Sequence, residues 1–113
     1  MCGFFGLQSY ELDSSNKISV SRNAINILNT RGPDSNDIVL EDNNNLVFCH
    51  NRLSILDLTI TGHQPMKSAS GNLLITYNGE IYNHISIREE LLTNNNFNNW
   101  KGTSDTETLI QAV

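Results

Sequence analysis

The chain has 113 residues, 38% hydrophobic and 17% charged, with a formal net charge of −5. That length suits one domain burying roughly two-thirds of its unfolded surface, and a negative chain without a Lys/Arg run repels a phosphate backbone, which argues against nucleic acid as a partner. No apolar run approaches the roughly 18 residues of a membrane span, no leader is visible, and two cysteines without a CxxC or Cys/His cluster point to reduced thiols, no metal and a cytoplasmic location.

Residues 2–8, CGFFGLQ, read as a short buried first strand. In SVSRNAINILNTRG, Val20, Ala24, Ile27 and Leu28 fall at i, i+4, i+7 and i+8, one face of a helix. Gly32 then stands where a helix end takes the left-handed conformation, and Pro33 cannot extend it. DIVLE and LVFCHN are apolar runs separated by Asp and Asn, a hairpin signal, with Cys49 as a buried strand residue. The asparagine runs in EDNNNL and LLTNNNFNNW suit surface turns. RLSILDLTITGHQPM mixes apolar residues with Gly and Pro and reads as a long structured loop. NLLITYNGEIYN reads as a second hairpin with Asn78-Gly79 at its turn. SIREELLTN is a short helix, and TSDTETLIQAV begins another with Ser104 and Glu107 spaced as a capping box. No Gly, Asn or Pro stops that helix before Val113, so the expectation is one domain over 1–113, truncated on its C-terminal side.

The chemistry starts at Cys2. Aminopeptidases remove an initiating Met when the next side chain is small, which leaves a thiol and a free α-amine on one Cα. An α-amine has a reference pKa of about 7.7–8.0, so part of it is neutral at pH 7 and can take the thiol proton. Asn78-Gly79 is a favoured type I′ turn pair, and is equally able to aim a backbone N–H and a carboxamide at one oxyanion. Arg52, directly after a strand, is a surface arginine paired with an acid or a fork for a carboxylate. Glu80 and Asp105 are a hairpin residue and a first-turn helix acid, or acceptors for an ammonium group. Together these groups compose a pocket for an amino acid, and an amide to attack makes that amino acid glutamine.

In order along the chain, MCGFFG at 1–6, RGPD at 31–34, RLSILDLTITGHQPM at 52–66, YNGEIYN at 77–83 and SDTE at 104–107 resemble the start of the glutaminase domain of class II glutamine amidotransferases, in the branch of glutamine-hydrolysing asparagine synthetase. The resemblance implies an α+β fold of the N-terminal-nucleophile hydrolase type, a four-layer α/β/β/α sandwich with antiparallel sheets, incomplete in this chain. It casts Cys2 as the nucleophile, Asn78 and Gly79 as the oxyanion hole, and Arg52 as the ligand of the glutamine α-carboxylate. Leu53, Ser54, Ile55 and Leu56 would line the pocket, and Glu80 and Asp105 would meet the amino group. Arg31 and Asp34 are left as loop-positioning residues. Phe4 and Phe5 are bulkier than the family's usual opening block. The implied partners are L-glutamine, the synthetase domain of a full-length protein and a second copy of the chain. ATP and magnesium would belong to the synthetase domain, absent here, and no cofactor to this chain. A catalytically inactive, self-associating assembly piece is the alternative.

Overall fold

The computed structural model describes residues Met1–Val113. The elements follow in the order β1 (Gly3–Gln8), α1 (Ser14–Leu28), β2 (Ser35–Glu41), β3 (Leu46–Arg52), β4 (Met66–Lys67), β5 (Leu74–Ile75), α2 (His84–Asn95) and α3 (Asp105–Ala112), with a 3-10 turn at Ile60–Gly62. They make an α+β fold with two antiparallel sheets, β1-β3-β2 and β4-β5.

Strand β3 is central. Its register sets Gly3 opposite Asn51 on one side and Ser35 opposite Arg52 on the other. Val47 and Cys49, two residues apart on one face, are fully buried, and Ile25 of α1 packs on them within a ring of Phe5, Leu7, Ile38 and Leu40. In β1, Gly3 is buried and Phe5 and Leu7 are half-buried, while Phe4, Gly6 and Gln8 are exposed. The first strand is therefore covered on one face only. The hairpin turn between β2 and β3 takes left-handed φ at Asp42, Asn43 and Asn44 (52°, 51° and 68°), which Asp and Asn tolerate best among residues with a side chain.

Helix α1 forms where expected, capped by Asp13 accepting from the Asn16 N–H at 2.7 Å, but a different face turns inward. Lys17, Ser21 and Ile25 are buried, Ala24 and Leu28 half-buried, and Val20 and Ile27 exposed at 41% and 77%. Polar tethers set the rotation. Lys17 Nζ donates to the Asn44 carbonyl at 2.7 Å, and Asn51 Nδ2 donates to the Ile25 carbonyl at 3.1 Å. Each buries a polar group with a partner, and the pair overrides the apolar stripe.

The second expected hairpin does not form. β5 ends at Ile75 and pairs with β4, Met66 opposite Ile75, so no strand turns at Asn78-Gly79. Side chains hold the backbone of residues 77–81 instead of a ladder. Gln64 Oε1 accepts from the Tyr77 N–H at 2.6 Å, His50 Nε2 donates to the Tyr77 carbonyl at 3.1 Å, and Asp105 Oδ2 accepts from the Ile81 N–H at 2.8 Å.

Helices α2 and α3 are joined through Arg88. Its guanidinium donates to the Thr108 hydroxyl (2.7 Å), the Gly102 carbonyl (2.7 Å), the Ser104 carbonyl (2.8 Å) and Glu107 (3.3 Å), and lies 4.1 Å from the centre of the Trp100 ring. Ser104 caps α3 by accepting from the Glu107 N–H at 3.1 Å. The reciprocal half of the capping box is missing, because the Glu107 carboxylate accepts from the N–H groups of Lys101 and Gly102 and from Arg88.

Candidate active site

Cys2 precedes β1, and one more step of the β1–β3 register sets it opposite Arg52 at the end of β3, so that its side chain reaches the next residue, Leu53. The Leu53 N–H donates to Cys2 Sγ at 3.3 Å, and the thiol points back at the Leu53 carbonyl, 3.6 Å away. Both backbone groups of one residue hold the thiol. Arg31 Nε donates to the Cys2 carbonyl at 3.1 Å. From the same connection, Asp34 accepts from the Ser54 N–H at 2.7 Å and donates its own N–H to the Arg52 carbonyl at 3.0 Å. The RGPD segment therefore braces the end of β3 and touches Cys2 directly. Gly32 is needed for contact, not for a left-handed cap: its φ is not positive, and a Cβ there would strike the carbonyl groups of Asn51 and Arg52.

Arg52 is buried, and its guanidinium is engaged with its own loop. Nη1 donates to the Thr59 carbonyl at 2.8 Å, and Nη2 to the carbonyls of Leu56 (3.3 Å) and Asp57. Gly62 leaves room for this guanidinium, which a Cβ at that position would meet. A guanidinium has five N–H donors, so the Nε and one Nη1 proton stay available to a ligand.

Asn78 is half-buried and Gly79 and Glu80 are exposed, on the segment held by Gln64 and Asp105. The Gly79 N–H donates to no backbone carbonyl. Asp105 is buried at the first turn of α3, where the unsatisfied N–H groups favour its negative charge. Burial pushes the Tyr77 phenol above its ordinary range, and the charges of Asp105 and Glu80 add to the rise. Burial lowers His50, a fully buried imidazole that therefore stays neutral and donates to Tyr77.

These groups surround a cleft of about 300 Å³. Cys2, Arg52, Leu53, Ile55, Leu56, Asn78, Gly79, Glu80 and Asp105 line it. Of the residues expected from the sequence, only Ser54 does not line it; its N–H is held by Asp34. Gln64, Tyr77, Ser104 and Thr106 were not expected in the wall and are there, with Met1, Gly62 and Tyr82. Buried Gln64 also donates to the Thr106 hydroxyl at 3.1 Å, so it spans from the 77–81 segment to α3. The quoted blocks contain Gln64 and Tyr77, but nothing in their spacing distinguishes a wall residue from a loop residue. No three His, Cys, Asp or Glu side chains converge as a metal-binding group. No helix is long and apolar enough to cross a membrane.

The pattern of a glutamine amidotransferase domain matches residues 1–113. The chain is 41% identical over 83 residues to a probable glutamine-hydrolysing asparagine synthetase of Schizosaccharomyces pombe, covering 74% of this chain and 14% of that protein. Against asparagine synthetase B of Escherichia coli it is 33% identical over 90 residues, 80% of this chain and 16% of the relative. Against asparagine synthetase 3 of Bacillus subtilis it is 31% identical over 114 residues, 99% and 18%. The chain thus spans 14% to 18% of the length of these relatives.

Proposed function

The chain belongs to the glutamine amidotransferase domain family, and from that premise we propose that it hydrolyses the side-chain amide of L-glutamine to glutamate and ammonia, with Cys2 as nucleophile. One observation carries this: a thiol, a buried guanidinium, two carboxylates and the Asn78-Gly79 pair line one cleft.

Once Met1 is removed, the α-amine of Cys2 accepts the thiol proton. The sulfur attacks the amide carbon, the C–N bond breaks as the amine returns the proton to departing ammonia, and water cleaves the thioester to glutamate. Gly79 N–H and the Asn78 carboxamide meet the oxyanion. The donors of Arg52 that its loop leaves available receive the α-carboxylate, and Asp105 and Glu80 receive the α-ammonium. The fold belongs with the four-layer α/β/β/α sandwiches of N-terminal-nucleophile hydrolases, working in the cytoplasm. Ammonia passes to an asparagine-synthetase-type amidation on a synthetase domain, where ATP and magnesium act; residues 1–113 are assigned no cofactor.

The test is an intact mass after incubation with a diazoketone analogue of glutamine. One adduct at Cys2 on a chain lacking Met1 is the expected result. Loss of Met1 with no adduct would overturn it and favour the self-associating assembly piece. That second reading draws on the uncovered face of β1, where Phe4 is 52% exposed.

A further inference from the structure

Asp57 does not line the cleft, yet it is bonded to both sides of it. Its Oδ1 accepts from the Thr59 N–H at 3.1 Å and the Thr59 hydroxyl at 2.5 Å. Its Oδ2 accepts from the Thr61 hydroxyl at 2.9 Å and the Thr103 N–H at 2.8 Å. Its carbonyl, with those of Leu56 and Thr59, accepts from the Arg52 guanidinium. The orientation of Arg52 therefore follows the path of the loop, and the loop turns at Asp57, whose φ of 53° is uncommon for a residue with a side chain. Such a conformation persists only where the surroundings over-determine it. Here the four bonds to the carboxylate do so.

The same carboxylate reaches across to the other recognition element. Thr103 precedes Ser104, the cap of α3, and Asp105, which lines the cleft and whose carboxylate accepts from the N–H groups of Ile81 and Thr106. Gly102 makes the approach possible, since a Cβ there would collide with Asp57 Oδ2 and the Thr61 hydroxyl. Behind it, Arg88 and Glu107 hold Gly102 from the far side. Burial alone would raise the Asp57 carboxyl, but the hydrogen bonds from Thr59, Thr103 and Thr61 bring it down to about 2. It is an anion at any working pH.

We propose that Asp57 is a positioning residue for amino-acid recognition: it sets the separation of Arg52 and Asp105, and with it the selection of a ligand carrying a carboxylate and an ammonium on one carbon. This rests on the glutamine reading above. The two ligand charges sit at a fixed spacing, so recognition by two protein charges depends on a third group that fixes theirs.

The test measures, in the full chain, how L-glutamine and 4-carbamoylbutanoate (the same molecule without the α-amine) protect Cys2 from alkylation by iodoacetamide, which needs no amino-acid subsite. With Asp57→Asn and Gly102→Ala, alkylation without ligand keeps its wild-type rate. The glutamine concentration for half-protection rises about tenfold or more, and the advantage of glutamine over the amine-free analogue shrinks. If glutamine protects both variants as it protects the wild type and keeps its advantage, the proposal is overturned. An equal loss of affinity for both ligands also overturns it, since that marks a general structural effect. A wild type that glutamine does not protect overturns the glutamine reading, and this inference with it. Gly102→Ala keeps the Asp57 carboxylate but pushes it away from Thr61 and Thr103, so it carries the test if Asp57→Asn does not fold.

Discussion

The sulfur of Cys2 lies 3.3 Å from the amide nitrogen of Leu53, the residue that follows Arg52. The β1–β3 ladder thus seats the thiol beside the first residue of the loop whose carbonyls grip the Arg52 guanidinium. Only the Cys2 side chain itself lies between that ladder and the loop, because the Leu53 N–H bonds the sulfur directly. A spacing set by a ladder is stiffer than one set by surface side chains, and suits a reaction that needs near-attack geometry.

Replacing Cys2 with Ala should abolish glutamine-dependent ammonia release, by about a thousandfold or more. The fold should survive, because Cys2 is only half-buried and its contacts are to a backbone already held by β3. Ammonia release and a thermal melt, run on one preparation, check both halves.

Asn78→Ala should lower kcat by about a hundredfold with little change in KM, the signature of a donor that acts on the transition state rather than on bound substrate. Steady-state glutamine hydrolysis decides this. A rise in KM at constant kcat would move Asn78 from the oxyanion to ground-state binding.

Glu107→Ala should destabilise the chain by about 3 kcal/mol, since it removes the buried counter-charge of the half-buried Arg88 and leaves the N–H groups of Lys101 and Gly102 without acceptors. Urea denaturation followed by circular dichroism measures this. A loss under about 1 kcal/mol would mean that water replaces the carboxylate.

Stability should fall as the pH drops from about 4 to 2. The Asp57 carboxyl titrates at about 2 in the folded chain against an ordinary value of 3.8. In that window the unfolded chain binds the proton and the folded chain does not, so stability is present above the window and lost through it. Asp57→Asn should flatten this part of the profile. Urea midpoints at several pH values in that range read the slope.

The strands of the first sheet were legible because apolar runs broken by Asp and Asn, as in DIVLE and LVFCHN, need only local pattern. The inward face of α1 was not: Lys17 and Asn51 choose it through long-range hydrogen bonds that apolar spacing ignores. The Asn78-Gly79 turn misled for a similar reason, as Gln64 and Asp105, distant in sequence, take the backbone groups a hairpin would have used. The cleft itself was readable from the order of its blocks. That Arg52 grips three carbonyls of its own loop was not, because it depends on the path of residues 53–62 in space.

Trp100 is this chain's single tryptophan, and it stacks edge-on with Phe97, ring centres 4.8 Å apart, while Arg88 lies over its face. Intrinsic emission excited at the indole band therefore reports the α2–α3 joint and nothing else directly. The first sheet could loosen with the signal unmoved, while a disturbance at Gly102 or Glu107 would register at once. Comparing that emission with backbone dichroism along one denaturation curve would separate the two halves of the fold without adding a label.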